Sequence, residues 1–185
     1  MNKNAVVFDV DKTLVFGDLH SIIIKLWLKK NRRYAALHEF TQLLHAAASL
    51  PFLKRKIEYL FTALIPAADI HPIIKDVLTD DSIANKKLLR RIVKYKKAGA
   101  QVFLVSAAPE RIINILAKFL QVEAIASKTI TGVLIRDYLA KKSKAYNLLL
   151  SKGLVIRTIY SDSELDFSQK SKNFLIDHHS MVLKT

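Results

Sequence analysis

The chain has 185 residues, of which 51% are apolar, and it contains four glycines and no cysteine. Thirty Lys and Arg stand against sixteen Asp and Glu, so the formal net charge is +14. The apolar content excludes a disordered basic tail, and the lack of cysteine excludes a disulfide scaffold. The length suits one domain with room for an inserted lobe, and the positive charge favours anionic partners.

The first element is a short apolar run at residues 4–10 that ends in carboxylates, which is typical of a buried parallel strand. Residues 18–80, which follow, show helical periodicity and no strand pattern. This stretch is too long for a single crossover helix, which would need only about a dozen residues. This stretch therefore predicts an inserted helical lobe, with one apolar stripe at residues 19–27 and another at residues 53–64.

Helices and strands alternate in the rest of the chain, which indicates an α/β fold with parallel pairing. Ser82 is expected to cap the first of these helices and Gly99 to end it. The predicted helices are 82–98, a helix from Pro109 onward, and 143–150. The predicted strands are 101–105 and 155–160, with weaker candidates at 122–126 and 173–176.

The strongest chemical signal is the pair Asp9 and Asp11, followed by Thr13, at the end of the first strand. Side chains alternate along a strand, so the two carboxylates are expected to point to the same side. Two carboxylates at such a short distance repel each other, and the pKa of one of them should rise unless a cation lies between them. Such a pair can also simply face water, but the buried strand before it favours a functional site.

Residues 7–14, with the sequence VFDVDKTL, resemble the first motif of the haloacid dehalogenase superfamily in its phosphatase branch. The strand that ends at Ser106, the lysine Lys144 at a helix start and the acidic segment 160–166 resemble the later motifs, in the right order. The helical stretch lies where phosphoserine-phosphatase-like members carry a helical cap of the C1 type. The chain is therefore identified as a member of that branch, over nearly its whole length.

The resemblance implies a Rossmann-like three-layer sandwich. Its mostly parallel sheet would have five strands in the order 3-2-1-4-5 and would be interrupted by an inserted all-α cap. The core domain would comprise residues 1–17 and 81–185, and the cap would comprise residues 18–80.

The resemblance also implies a Mg²⁺-dependent phosphomonoesterase that works through an aspartyl-phosphate. Asp9 would be the nucleophile, and Asp11 would be the general acid and then the general base. Mg²⁺ would bind Asp9, Asp162 and the backbone carbonyl of Asp11, and Asp166 would orient Asp162 or its metal-bound waters. The residues expected to contact the phosphate are Thr13, Ser106 and Lys144.

Some choices stay open within this resemblance. Lys141 and Lys142 compete with Lys144 for the phosphate-binding role. Ser161 stands where the family often has glycine, and Leu165 stands where asparagine is common. These departures leave every carboxylate in place, so they put the rate and the metal affinity in question more than the type of reaction.

The lobe leaves the substrate open between a phosphorylated metabolite and a lipid phosphate. Basic clusters lie at residues 29–30, 32–33 and 54–56, and Ile24 and Leu28 lie off the main apolar stripe of their helix. Basic and apolar faces together can mark a membrane-surface element, so peripheral contact with an anionic membrane is one expectation. The other is a packed lobe whose lysines are solvated.

The competing function is a basic nucleic-acid-binding or polynucleotide-phosphate-processing protein on the same fold. No specific nucleic-acid-binding motif supports it. Neither a targeting segment nor a membrane span is evident, so the expected location is cytoplasmic, with association at the membrane surface as an option. The sequence predicts no oligomeric state.

Overall fold

The computed structural model describes residues 3–49, 56–57, 59–130, 133–138, 142–177 and 180–184. The strands are β1 Lys3–Phe8, β2 Gln101–Pro109, β3 Glu123–Ile130, β4 Val133–Arg136, β5 Leu154–Ser161, β6 Lys172–Asp177 and β7 Ser180–Lys184. The longer helices are α1 Leu19–Lys30, α2 Ala35–Ala47, α3 Ala67–Thr79, α4 Lys86–Lys97, α5 Glu110–Leu120 and α6 Lys142–Ser151. Short 3₁₀ helices lie at Arg32–Tyr34, Phe61–Leu64 and Glu164–Asp166.

The strands form one sheet in the order β4-β3-β2-β1-β5-β6-β7. The five central strands are parallel and follow the predicted order 3-2-1-4-5, which confirms the α/β prediction. The strand number is seven rather than five, because β4 and β7 each add an antiparallel edge. These short edge strands lack the long buried run by which a central parallel strand is recognised.

Strand β1 lies at the centre of the sheet, with β2 on one side and β5 on the other. Phe8 is in register with Leu104 of β2 and with Tyr160 of β5, and the last four residues of β1 are buried. The carboxyl ends of parallel strands lie at one edge of a sheet, and ligand sites of open α/β sheets lie there. The residues that follow β1, β2 and β5 are therefore neighbours.

Helix α4 begins later than predicted. Asn85 is its N-cap and accepts a hydrogen bond from the backbone N–H of Leu88 (3.3 Å). The prediction of Ser82 as the cap is wrong, because Asp80 accepts hydrogen bonds from both the N–H and the hydroxyl of Ser82 and holds it in a turn. Gly99 follows the helix with a positive φ of 77°, as expected of a helix end.

The insertion between β1 and α4 shares its core with one face of the sheet. Ile23 and Trp27 of α1 and Ile74 of α3 belong to the same buried cluster as Phe8. The indole N–H of Trp27 also donates to Asp69 (2.8 Å), which joins α1 to α3. The division of the chain at residues 17/18 and 80/81 stays a prediction.

The apolar residues of α1 that lie off its main stripe also pack against the core. Ile24 is only 5% exposed, and Leu28 is half-buried against the core cluster. The second predicted stripe, residues 53–64, lies partly outside the described residues. Its described end, Phe61–Leu64, is a 3₁₀ helix.

Candidate active site

A cavity of about 340 Å³ lies at the carboxyl edge of the sheet, where the ends of β1 and β5 meet the insertion. Five carboxylates line it: Asp9, Asp11, Asp18, Asp162 and Asp166. Lys12 and Lys142 are the lysines of its described wall. Asp9 and Asp11 thus face one site, as the alternation of side chains along a strand predicts.

Asp9 continues the line of β1. Its backbone N–H donates to the carbonyl of Tyr160 (2.8 Å), so the position of Asp9 is set by the sheet itself. The side chain is buried, and Oδ1 accepts from the N–H of Val10 (2.7 Å) while Oδ2 lies 2.8 Å from Nζ of Lys142. A buried carboxylate is costly unless it is paired and hydrogen-bonded, and Asp9 is both.

Asp11 ties the end of β1 to two other elements. Its Oδ1 accepts from the N–H of Leu19 (2.8 Å), one of the free donors at the start of α1. Its Oδ2 accepts from the hydroxyl of Ser106 (3.4 Å), and that hydroxyl in turn accepts from the N–H of Ala108 (3.0 Å). The carboxyl group of Asp11 is therefore held in one orientation beside Asp9.

Three carboxylates converge in the cavity. Asp9, Asp162 and Asp166 each offer an oxygen, and these oxygens lie within 4.8 Å of one another. Carboxylate oxygens are the ligands that Mg²⁺ prefers, usually one or two of them together with waters and phosphate oxygens. The donor set therefore fits a hard divalent cation.

Burial changes the acidity of this group. Burial raises the pKa of Asp9 to about 8, although the ammonium group of Lys142 opposes the shift. Burial, with the charge of Asp18, raises the pKa of Asp11 to about 6. Burial alone would lower the pKa of Lys142, but Asp9 and Asp166 together raise it above its ordinary value, so the lysine stays protonated.

The lysine that pairs with the carboxylates of the cavity is Lys142, so the expected placement of Lys144 in this site is wrong. Nζ of Lys142 lies 2.8 Å from Asp9 and 2.6 Å from Asp166. Lys144 is exposed and lines a separate cavity beside Asp137. Helix α6 begins at Lys142, and two residues along a helix turn a side chain by about 200°, so the two lysines cannot share one site. The other competitor, Lys141, lies outside the described residues.

Asp166 belongs to the group of converging carboxylates, whereas the sequence predicted only that it would orient Asp162 or its metal-bound waters. It is buried at the end of the turn Glu164–Asp166, and Oδ2 accepts from both Lys142 and the hydroxyl of Ser161. Ser161 is fully buried, and its Oγ also lies 3.5 Å from Oδ2 of Asp9. The serine that replaces the usual glycine thus links two carboxylates of the group, which the sequence pattern did not reveal.

Thr13 and Ser106 lie behind the cavity wall rather than in it. Both are fully buried, and the described wall near them is formed by Ala107 and Ala108. The hydroxyl of Thr13 has no hydrogen-bond partner within the described part of the chain. Direct contact of either hydroxyl with a phosphate stays a prediction.

The insertion supplies part of the wall that sequence reasoning missed. His20 and Tyr59 line the cavity, and their rings meet edge to face at 5.3 Å. The hydroxyl of Tyr59 donates to the carbonyl of Ala107 (2.5 Å), and Nε2 of His20 is hydrogen-bonded to the hydroxyl of Thr62. The contact of Tyr59 with Ala107 joins the insertion to β2, and the two ring contacts of His20 lie within the insertion. A ligand in the cavity would therefore touch both the insertion and the strand ends.

A larger cavity, of about 580 Å³, lies beside the first turn of α4 and against β6 and β7. Its wall combines apolar side chains such as Phe16 with cations such as Arg90. Asp81 is the one carboxylate of its described wall, and it is paired with Lys86 (3.0 Å). The convergence of carboxylates therefore marks the smaller cavity as the candidate active site.

Among the described residues, no helix is both long enough and apolar enough to cross a membrane.

The family model of the haloacid dehalogenase-like hydrolases matches residues 6–168. A search of curated protein sequences found no match. The matched span runs from β1 through the turn that carries Asp166, so it includes every carboxylate of the cavity.

Solved structures with the same fold include a protein of unknown function from Bordetella pertussis Tohama I. The similarity covers 90% of this chain and 85% of that one, at 17% identity and a TM-score of 0.62. For phosphoserine phosphatase in its apo form, the coverage is 89% and 80%, at 17% identity and a TM-score of 0.53. For a phospho-aspartyl intermediate analogue of phosphoserine phosphatase, it is 86% and 78%, at 19% identity and a TM-score of 0.51.

Proposed function

The chain belongs to the haloacid dehalogenase-like hydrolase family, and on that premise we propose that it is a Mg²⁺-dependent phosphomonoesterase. The substrate would be a phosphorylated metabolite or a lipid phosphate. One observation carries the proposal: the buried Asp9 at the end of β1 pairs with Lys142 inside a group of three carboxylates. Phosphoryl transfer needs a nucleophile, charge neutralisation and a proton for the leaving oxygen. Asp9 would be the nucleophile, Lys142 would neutralise charge, and the neighbouring Asp11 would supply the proton.

In the first step, a carboxylate oxygen of Asp9 attacks the phosphorus of the ester. The bond between Asp9 and phosphorus forms, the bond to the leaving oxygen breaks, and Asp11 gives that oxygen a proton. The pKa of Asp11, raised to about 6 by burial, supports this role because the group holds a proton near neutral pH more often than an ordinary aspartate. Lys142 would neutralise part of the phosphate charge.

In the second step, a water molecule attacks the phosphorus of the aspartyl-phosphate. Asp11, now ionised, accepts a proton from that water, the bond between Asp9 and phosphorus breaks, and inorganic phosphate leaves. The hydrogen bonds from Leu19 and Ser106 favour this double use of Asp11 because they keep its carboxyl group in one place.

Asp9, Asp162 and Asp166 would hold the Mg²⁺ ion, with the backbone carbonyl of Asp11 as a further proposed ligand. When bound, the ion supplies positive charge that offsets the repulsion between the carboxylates and the dianionic phosphate. The raised pKa of Asp9 supports a cation here, because Lys142 alone does not offset the cost of burying the ionised carboxylate.

Two similar structures are phosphoserine phosphatases, and one of them is described as a phospho-aspartyl intermediate analogue. Among the reactions open to a hydrolase of this fold, they support the hydrolysis of a phosphate ester through an aspartyl-phosphate. Asp18, His20 and Tyr59 would contact the alcohol part of the substrate, since they form the part of the cavity wall that comes from the insertion.

The test is the hydrolysis of p-nitrophenyl phosphate and of a panel of metabolite and lipid phosphates, with and without Mg²⁺. We expect Mg²⁺-dependent release of phosphate, and we expect Asp9→Asn to lose about 10³-fold or more of it, because the amide is a poor nucleophile. Asp177→Asn, an exposed aspartate at the end of β6, is the matched control and should retain activity. Full turnover by Asp9→Asn would show that the nucleophile is another residue. A wild-type protein that is inactive on the whole panel would refute the proposed function.

A further inference from the structure

Helix α2 has its apolar side turned towards solvent. Successive residues of a helix are about 100° apart, which places six of its exposed apolar residues in an arc of about 120°. These residues are Ala36, Leu37, Phe40, Leu43, Leu44 and Ala47, and we call them the outer stripe. Leu43 is 68% exposed and Phe40 is 56% exposed.

The side of α2 that faces the protein is polar. Within this fully described helix, the buried residue is Thr41, and its hydroxyl donates to the carbonyl of His38 (2.7 Å). The ring of His38 packs against Phe61 with 5.0 Å between the ring centres, and His45 on the same side is half-buried. An amphipathic surface helix normally turns its apolar face inward, so the orientation of α2 is the reverse of the usual one.

Exposed cations precede the outer stripe in the chain. They lie on α1 and in the short turn that joins it to α2, and they are Lys25, Lys29, Lys30, Arg32 and Arg33. Within the described part of the chain, no ion pair joins them to a carboxylate. Residues 19–47 contain these five basic residues and one acidic residue, Glu39. The segment that carries the exposed apolar stripe therefore also carries uncompensated positive charge.

We propose that α2 docks the protein on an anionic lipid surface. The outer stripe would enter the boundary between headgroups and acyl chains, and the five cations would lie at the level of the anionic headgroups. Charge complementarity selects this occupant over a second copy of the chain, because pairing two stripes would bring two sets of cations together within a protein of net charge +14. The inference goes beyond the proposed phosphatase activity and does not depend on it.

The test is co-sedimentation of the full chain with vesicles of phosphatidylcholine alone or with about 30 mol% phosphatidylglycerol, at low and at high salt. We expect binding to the anionic vesicles, weaker at high salt because the charges are screened. The double variant Phe40→Gln/Leu43→Gln should weaken binding about tenfold or more, and Arg32→Gln/Arg33→Gln should weaken it severalfold.

The matched controls lie on α4, which carries the same kinds of exposed side chain. Val93→Gln removes an exposed apolar residue, and Lys94→Gln/Lys97→Gln removes two exposed cations. Both should bind as the wild type does. Equal losses of binding in the α2 and α4 variants would overturn the proposal, because they would show that net charge or nonspecific hydrophobic adsorption drives binding.

Two further outcomes would also overturn it. If Phe40→Gln/Leu43→Gln unfolds at a markedly lower temperature than the wild type, the stripe packs within the chain. If light scattering shows that the wild type is a dimer and this variant a monomer, a second copy covers the stripe. Wild-type protein that fails to bind the anionic vesicles at low salt refutes the docking directly.

Discussion

The candidate active site and the outer stripe of α2 depart from normal burial in opposite directions. At the strand ends, Asp9 and Asp166 are acidic side chains that are 6% and 7% exposed. On α2, Leu43 is an apolar side chain that is 68% exposed. Each departure costs free energy in the isolated chain, and each would be offset by the partner proposed for it: a cation and a phosphate in the first case, and an apolar phase in the second.

The two regions differ in how far the chain compensates for that cost. At the site, Lys142, Ser161 and the N–H of Leu19 satisfy the buried carboxylates, so much of the geometry is preformed. On α2, the outward side chains of Phe40 and Leu43 are left to solvent. A site that must orient reacting groups needs preformed geometry, whereas a docking face needs only area and charge.

The largest expected effect separates the two lysines of α6. Lys142→Met should lower kcat/KM on a phosphate ester about 10²-fold or more, because Asp9 and Asp166 lose their shared counter-charge and the phosphate loses a cation. Lys144→Met, a change of the same size two residues away, should stay within about twofold. A larger loss in Lys144→Met than in Lys142→Met would mean that the lysine beside Asp9 is not the functional one.

The next effect concerns the metal. Asp166→Asn should weaken Mg²⁺ activation about 10- to 100-fold, because it removes the negative charge of one of the three converging carboxylates, which also pairs with Lys142. The dependence of the rate on Mg²⁺ concentration measures it, and calorimetry of the metal with the free protein provides a readout besides activity. Glu164→Gln, exposed and paired with Lys184, is the control. Unchanged Mg²⁺ affinity in Asp166→Asn would leave Asp166 a structural residue.

A smaller effect appears in the pH dependence of stability without metal. Burial raises the pKa of Asp9 from 3.8 to about 8, so the folded state retains a proton that the unfolded chain releases. The contribution of Asp9 to stability is therefore complete below pH 4 and is lost as the pH rises through 8. The melting temperature in chelator should fall across this range, and Mg²⁺ should restore it at the upper end.

The control for this dependence is Asp9→Asn, which removes the titrating group and should flatten the fall. Asp11, whose pKa burial raises to about 6, remains in that variant and should leave a weaker decline in the lower half of the range. A wild-type melting temperature that rises from pH 5 to pH 8 in chelator would contradict the expected direction.

The smallest expected effect tests the exposed region. Leu43→Ala should change the free energy of unfolding by less than about 0.5 kcal/mol, because its side chain is mostly solvent-exposed. Ile23→Ala, on the neighbouring helix α1, should cost about 2–5 kcal/mol because it empties part of the core. Chemical denaturation measures both. Equal losses would show that the stripe is packed, which would remove the contrast between the two regions.

Much of the fold could be predicted because it depends on local patterns. The short apolar runs of the central strands identified the parallel sheet, and the polar residues at their ends placed Asp9, Asp11 and Asp162 at one edge. The edge strands β4 and β7 were missed, because an edge strand need not show a buried pattern. The start of α4 was misplaced, because the competition between Asp80 and Asn85 for cap positions depends on the turn between them.

The sequence by itself determined the architecture, the carboxylates and the excess of positive charge, because these follow from residue types and their spacing. Only the tertiary structure decided that Lys142, rather than Lys144, reaches Asp9, since that choice depends on where α6 begins and how it is rotated against the sheet. It also decided that Asp166 joins the carboxylate group and that α2 turns its apolar stripe outward. Periodicity defines a stripe on a helix, but the direction in which the stripe faces is set by what the rest of the chain packs against it.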